Sequence, residues 1–142
     1  MAKHSEILDH PADIGLTARA DTLGELMEAL AEGLAGIVCD CGQVQPAQRR
    51  TLEVAAEDRE ALAVDFLTAV MNLIQTRHFM VASAAVRVTD EPVSCRVIAE
   101  LAGEPYDPSR HEIDVEIKAV TYHQLRIAQE GGQWTARIIF DI

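Results

Sequence analysis

The chain lacks any long hydrophobic run, although 49% of its 142 residues are hydrophobic. A membrane-spanning helix needs about 20 consecutive apolar residues, so we expect none here. The first residues, Met1 to Glu6, also lack the apolar segment of a signal peptide. We therefore expect a cytoplasmic protein with a hydrophobic core and no membrane partner.

The motifs of several common enzyme classes are missing as well. Neither a Gly-x-x-x-x-Gly-Lys nor a Gly-x-Gly-x-x-Gly loop occurs, which argues against nucleotide binding. No nucleophile elbow is present, and the His111-Glu112 pair is followed by Val115 where a zinc protease requires histidine. The three cysteines form an odd set without a Cys-x-x-Cys pair, so we expect reduced thiols without a chemical role.

Basic residues are scarce, because 12 lysines and arginines stand against 23 aspartates and glutamates, for a net charge of −11. A protein that binds RNA or DNA directly gains affinity by neutralising phosphates, and an acidic surface repels that polyanion. We therefore expect no direct nucleic acid binding. A cation or a basic protein is the favoured partner.

Two amphipathic helices are indicated by local signals. Thr22 and Glu25 match a capping box, and Asp58 is a candidate N-cap for the second helix. Each helix carries one apolar stripe at three- and four-residue spacing, which predicts burial against a sheet. The stripes consist of Leu23, Leu26, Met27, Leu30, Leu34, Ile37 and Val38, and of Leu62, Phe66, Leu67, Val70, Leu73 and Ile74.

Alternation of apolar and polar residues predicts the strands, with Asp13 in a connection and a bulge or bend near Thr121. The predicted strands cover 6–9, 16–20, 51–55, 84–88, 94–101, 113–117 and the arms of a hairpin that turns at Gly131 and Gly132. The order of elements predicts an α+β fold. We expect a single compact domain over 1–142, with a mainly antiparallel sheet and two amphipathic helices packed on it.

Carboxylates at the two ends of the chain, Asp13 and Asp141, are the first candidate site. Together they are suited to a hard cation, although Asp13 also fits an ordinary turn and Asp141 a solvated charge. Lys118 and His123 fit either a proton-transfer pair or an exposed lysine and a half-buried histidine. A row of acidic residues either discourages an exposed strand from pairing with another sheet or forms a docking surface. It comprises Glu112, Asp114 and Glu116.

Four segments taken together resemble the archease family over essentially the whole chain. The first is the motif His10-Pro11-Ala12-Asp13-Ile14-Gly15, and the second is the capping segment that starts at Thr22. The others are Lys118-Ala119-Val120-Thr121-Tyr122-His123 and the C-terminal segment from Trp134 to Ile142. One departure is Pro11, where the family commonly has threonine, and proline removes both a hydroxyl and an amide donor.

The resemblance implies an activator of the GMP-dependent RNA ligase that joins tRNA halves, acting without catalytic residues of its own. Such an activator promotes guanylylation of the ligase and multiple turnover. The resemblance also implies a divalent metal, with calcium as the expected ion, held by Asp13, Asp141 and a main-chain or terminal oxygen of Ile142. We assign His10, Lys118 and His123 as partner contacts or supporting residues.

Two other functions stay open at this point. One is a stand-alone metal-dependent enzyme that uses Asp13 and Asp141 with His123 as a base. The other is a chaperone-like binding module for RNA-modifying enzymes. Turnover without a ligase would favour the enzyme, and affinity for several unrelated proteins would favour the binding module.

Overall fold

The computed structural model describes residues 3–9 and 13–142, with the backbone alone for Leu8 and Asp9. The elements, in chain order, are β1 (Lys3–Asp9), β2 (Asp13–Ala20), α1 (Leu23–Val38), a 3₁₀ turn (Cys41–Gln43), β3 (Gln48–Ala56), α2 (Arg59–Gln75), β4 (Phe79–Glu91), β5 (Ser94–Pro105), β6 (Ala119–Glu130) and β7 (Gln133–Asp141). The α+β prediction is confirmed.

The strands form two antiparallel sheets, so the predicted sheet is divided into two. One sheet has the order β1-β2-β7-β6, and the other has the order β3-β5-β4. Both helices contact both sheets, with α1 against β2 and β4 and α2 against β3 and β6. Because the apolar sides of all these elements meet, the buried side chains form a continuous core.

The helices start where the sequence predicts. Thr22 accepts a hydrogen bond from the N–H of Glu25 at 3.1 Å, and Asp58 accepts one from the N–H of Ala61 at 2.8 Å. Each bond satisfies an amide that the first helical turn leaves open. Every residue of the two predicted apolar stripes is buried, which confirms both stripes.

Two glutamates on the polar side of α1 bind the outer edge of β4. Glu32 accepts a hydrogen bond from the N–H of Ala84, and Glu28 accepts one from the N–H of Val86, both at 2.9 Å. Both carboxylates also contact the ammonium of Lys3 on β1, at 3.0 and 3.1 Å. Helix α1 therefore joins an edge of each sheet through polar contacts.

The β6–β7 hairpin turns at the predicted place, and the β4–β5 hairpin turns at Pro92 and Val93. β4 and β5 pair through Glu91 and Ser94, and the β6–β7 turn uses Gly131 and Gly132 at φ values of +57° and +80°. Positive φ at both central residues matches the twist of a tight hairpin and favours glycine. The register shifts after Thr121, which confirms the predicted bulge.

The predicted strand at 113–117 is wrong. The N–H of Asp114 donates to the carbonyl of Val38 at the end of α1, at 2.8 Å. The Gln75 side chain bonds both the N–H and the carbonyl of Ile117, each at 2.7 Å. Because the ends of the two helices use these backbone groups, the segment joins no sheet, and Ile113 forms only an isolated bridge with Cys39.

None of the helices in the described part of the chain is long and apolar enough to cross a membrane.

Candidate functional site

The two aspartates among the three predicted metal ligands occupy the same register position of one sheet. Asp13 is the first residue of β2 and lies directly opposite Asp141, the last residue of β7. The prediction that Asp13 lies in a connection is therefore wrong. Its place in the strand is determined by pairing with β7, which is distant in sequence, so local alternation does not reveal it. We call Asp13, Asp141 and the main-chain oxygens of Ile142 the carboxylate edge.

The carboxylate edge concentrates negative charge. Directly opposed residues of an antiparallel pair have Cβ atoms about 4.5–5.5 Å apart, and like charges in such positions repel. The Oδ1 atom of Asp13 is buried, whereas Asp141 is exposed. A cation bound to both carboxylates would remove the repulsion, and carboxylate and main-chain oxygens are the donors that calcium prefers. The donor set therefore fits a hard divalent cation.

The third strand at this edge is β6. Ala119, its first residue, also lies opposite Asp141, and the N–H of Lys118 donates to the Asp141 carbonyl at 2.8 Å. Ile142 is half-buried and packs against the core beyond Phe140, which is fully buried. The end of β7 is thus held by pairing with β2 and β6, and by packing of Ile142 against the core.

Of the other predicted site residues, Lys118 lies next to the carboxylate edge and His123 lies farther along β6. Lys118 is exposed and immediately adjacent to Ala119, the residue opposite Asp141. His123 is also exposed, but it follows Thr121, which lies opposite Ile139 and is therefore already displaced from the edge along β6. Its N–H donates to the Thr121 hydroxyl at 3.3 Å. His10 lies outside the described residues.

Within residues 3–9 and 13–142, no group of three or more histidine, cysteine, aspartate or glutamate side chains is arranged to hold a metal ion. Calcium takes about six to eight oxygen ligands, more than Asp13, Asp141 and Ile142 supply. Further oxygens for such an ion have to come from the main chain, from water or from a partner.

The sequence reasoning missed a polar cluster at the end of β5. Glu104 and His111 are both buried, at 7% and 3% exposure, and the histidine Nε2 lies 2.8 Å from a Glu104 oxygen. Glu104 also accepts hydrogen bonds from the N–H of Gln45 at 2.8 Å and from Arg110 at 2.7 and 2.9 Å. The cluster fixes the loop after β5 against the core.

The hydrogen bonds around Glu104 determine its charge state. The Arg110 guanidinium, followed by the Gln45 N–H, lowers the pKa of the Glu104 carboxyl to about 2. The Asp107 N–H donates to Nδ1 of His111 at 2.9 Å, so Nε2 carries the proton that faces Glu104. The histidine is therefore a neutral, fully bonded structural residue.

The acidic row and the cysteines also have defined places. Glu112, Asp114 and Glu116 are exposed, in an irregular segment rather than on a strand face.

All three cysteines are free. Burial, the largest effect, raises the pKa of Cys41 and of Cys95 to about 11, so both thiols stay protonated at neutral pH.

The fold and the carboxylate edge define a class of small acidic α+β proteins in which the second strand of the chain pairs with the last one. Within that class, the sequence model of the Archease protein family matches residues 6–142. The chain belongs to the archease family, which confirms the resemblance found in the sequence.

Similar proteins of known sequence span nearly the full length of the chain. The archease of Thermococcus gammatolerans is 36% identical over 138 residues, covering 96% of this chain and 97% of that protein. The archease of Pyrococcus abyssi is 31% identical over 141 residues, covering 99% of each.

Two solved structures share the fold. The solution structure of protein 1598 from Methanobacterium thermoautotrophicum is 28% identical with a TM-score of 0.82, covering 97% of this chain and 98% of that one. A crystal structure described as an archease and possible chaperone from Thermotoga maritima has a TM-score of 0.63. It is 20% identical and covers 95% of this chain and 94% of that one, so this likeness shows the fold alone.

Proposed function

We propose that this protein activates, in the cytoplasm, the GMP-dependent RNA ligase that joins tRNA halves, by promoting ligase guanylylation and multiple turnover. The proposal rests on family membership and on one structural observation, the direct opposition of Asp13 and Asp141 where the two inner strands β2 and β7 begin and end. In this role the protein acts on a partner enzyme and contributes no catalytic residue.

The carboxylate edge is the part of the molecule proposed to work on the ligase. Asp13, Asp141 and an oxygen of Ile142 would hold a divalent cation, for which calcium is the expected ion. When bound, the cation neutralises the two carboxylates and accepts further oxygens from the ligase. The β6 pairing and the Lys118 N–H fix the orientation of Asp141 in advance, which lowers the cost of ordering on binding.

The surface charge supports a protein partner over RNA. The chain carries a net charge of −11, which favours association with a basic, RNA-handling enzyme and opposes the approach of RNA itself. Lys118, just before β6, and His123, on β6, are exposed and remain candidate ligase contacts. His10 keeps the same assignment from the family resemblance.

The direct test is single-turnover guanylylation of the cognate ligase with labelled GTP and calcium, with and without this protein. Wild type is expected to accelerate labelling, and Asp13→Asn and Asp141→Asn to lose most of that acceleration. Asp65→Asn is the matched control, since Asp65 is an exposed aspartate on α2, away from the carboxylate edge. It is expected to behave as wild type.

Other outcomes separate the competing functions. Equal acceleration by all variants would contradict a role for the carboxylate edge while retaining ligase activation. No acceleration by wild type would remove the ligase proposal. Turnover by the isolated protein that requires Asp13, Asp141 and His123 would favour the metal-dependent enzyme, and stable binding to several unrelated RNA-modifying enzymes would favour the chaperone-like module.

A further inference from the structure

A cavity of about 290 Å³ beside β3 is lined by two arginines and a histidine in this acidic protein. Arg50 comes from β3, and Arg77 and His78 come from the short connection between α2 and β4. Thr51 is also a lining residue, and no aspartate or glutamate is among the residues that line the cavity. In a chain with 23 acidic and 12 basic residues, such a cavity has a charge opposite to that of the whole molecule.

The Arg50 guanidinium is held in place by its neighbours. It lies over the ring of Phe79, with 4.6 Å between Cζ and the ring centroid. Its two terminal nitrogens donate to the Arg49 carbonyl at 3.0 Å and to the Gln48 side chain at 3.1 Å. A guanidinium carries five N–H donors, so three remain for a ligand.

The charges of Arg50 and Arg77 are not neutralised locally. Nearby Arg49 and Arg96 form ion pairs with Glu100 and Glu53. Among the residues that the structure describes, no carboxylate oxygen lies within 4 Å of the Arg50 or Arg77 guanidinium. The two guanidinium groups therefore keep their full charge for an external anion.

The backbone at the cavity adopts an unusual conformation. His78 has a φ of +57°, a left-handed value that costs energy for a residue with a Cβ atom. The conformation is fixed by the Tyr106 N–H, which donates to the His78 carbonyl at 2.7 Å. Such strain is common at ligand clamps, and here it determines how the connection presents Arg77 and His78 to the cavity.

We propose that this cavity binds a phosphate group. A phosphate accepts paired N–H donors from arginine, and two arginines and a histidine line this cavity. The net charge of the protein repels a long polyanion, so the ligand is a phosphate on a small molecule or at a chain end. This site is distinct from the carboxylate edge and does not depend on ligase activation.

The test follows backbone amide NMR shifts of Arg50, Thr51, Arg77 and His78 during titration with inorganic phosphate, GMP or a short single-stranded RNA with a 3′-phosphate. Saturable shifts confined to this cavity are expected. Loss of a hydrogen bond to a charged group makes each of Arg50→Gln and Arg77→Gln weaken binding by about tenfold or more. Both side chains are exposed, so the variants should fold normally.

Arg87→Gln is the matched control, because Arg87 is an exposed arginine on β4 that does not line the cavity. It is expected to bind like wild type. Equal affinity for phosphate and GMP would assign recognition to the phosphate alone, and tighter binding of GMP or RNA would identify the natural carrier. Shifts without saturation, equal weakening by Arg87→Gln, or unchanged binding by both cavity variants would overturn the proposal.

Discussion

Glu104 and the Asp13–Asp141 pair are both carried by strands, but their surroundings differ. Glu104 is buried and accepts hydrogen bonds from a guanidinium, a backbone N–H and an imidazole, so its charge is balanced within the protein. At the carboxylate edge, pairing of β2 with β7 places two aspartates directly opposite each other. A buried carboxylate that is bonded to groups of opposite charge indicates a structural role. Two carboxylates that face each other at the end of a strand pair are suited to an external cation.

Glu104→Ala tests whether the buried Glu104 carboxylate stabilises the fold. The change leaves His111, whose side chain is fully buried, without an acceptor for its Nε2 proton, and it removes both Arg110 contacts. We expect the largest loss of unfolding free energy among the variants considered, measured by urea denaturation.

Glu100→Ala is the control on the same strand, since Glu100 forms only an exposed ion pair with Arg49. Such pairs contribute about 1 kcal/mol or less. If both variants lost equal stability, the buried cluster would not have the assigned role.

The pH dependence of stability tests the role of the same carboxylate. The pKa of Glu104 is lowered from its ordinary value of 4.5 to about 2, so its stabilisation is complete above pH 4.5. Stability is then lost as the pH falls from 4.5 towards 2, because the unfolded chain binds the proton first. Glu104→Gln should reduce this dependence in urea denaturation at a series of pH values. An unchanged slope over that range would contradict the assignment.

Glu32→Ala tests a second internally balanced carboxylate. It removes the acceptor of the Ala84 N–H on the β4 edge and one contact of Lys3. Losing an acceptor for a partly buried donor costs about 1–3 kcal/mol, and Glu32→Gln, which retains an acceptor oxygen, should cost less. Faster hydrogen exchange of the Ala84 amide would accompany the loss in Glu32→Ala. Unchanged exchange would show that water replaces the carboxylate.

Asp141→Asn has the smallest expected effect and the opposite sign. Without divalent metal it removes repulsion from Asp13 and should raise stability by about 0.2–1 kcal/mol, measured by urea denaturation in a chelator. Asp65→Asn on α2 is the control and should leave stability unchanged. A destabilised Asp141→Asn variant would mean that the Asp141 charge is already balanced within the protein.

Local signals in the sequence were sufficient for the helices and hairpins. Thr22, Asp58, Gly131 and Gly132 act through neighbours a few residues away, so their sequence context predicts their geometry. The division into two sheets depends instead on pairing between distant segments. The predicted strand at 113–117 is wrong because of contacts between distant segments too. The ends of α1 and α2 form hydrogen bonds with its backbone groups.

The candidate site was only partly visible in the sequence. Asp13 and Asp141 were chosen from spacing and family resemblance, and the β2–β7 register places them opposite each other. Their role as metal ligands remains a prediction. The Glu104–His111 pair was missed because burial of a polar residue at the end of β5 and of another in the loop that follows has no periodic signature. The only local signal was a glutamate and a histidine seven residues apart across a turn.

Calorimetric titration of calcium into the full chain shows whether the carboxylate edge binds a metal ion. We expect one saturable site in wild type and in Asp65→Asn, with binding lost or strongly weakened in both Asp13→Asn and Asp141→Asn. Equal calcium binding by all four proteins, or no saturable binding by wild type, would contradict a metal-binding carboxylate edge.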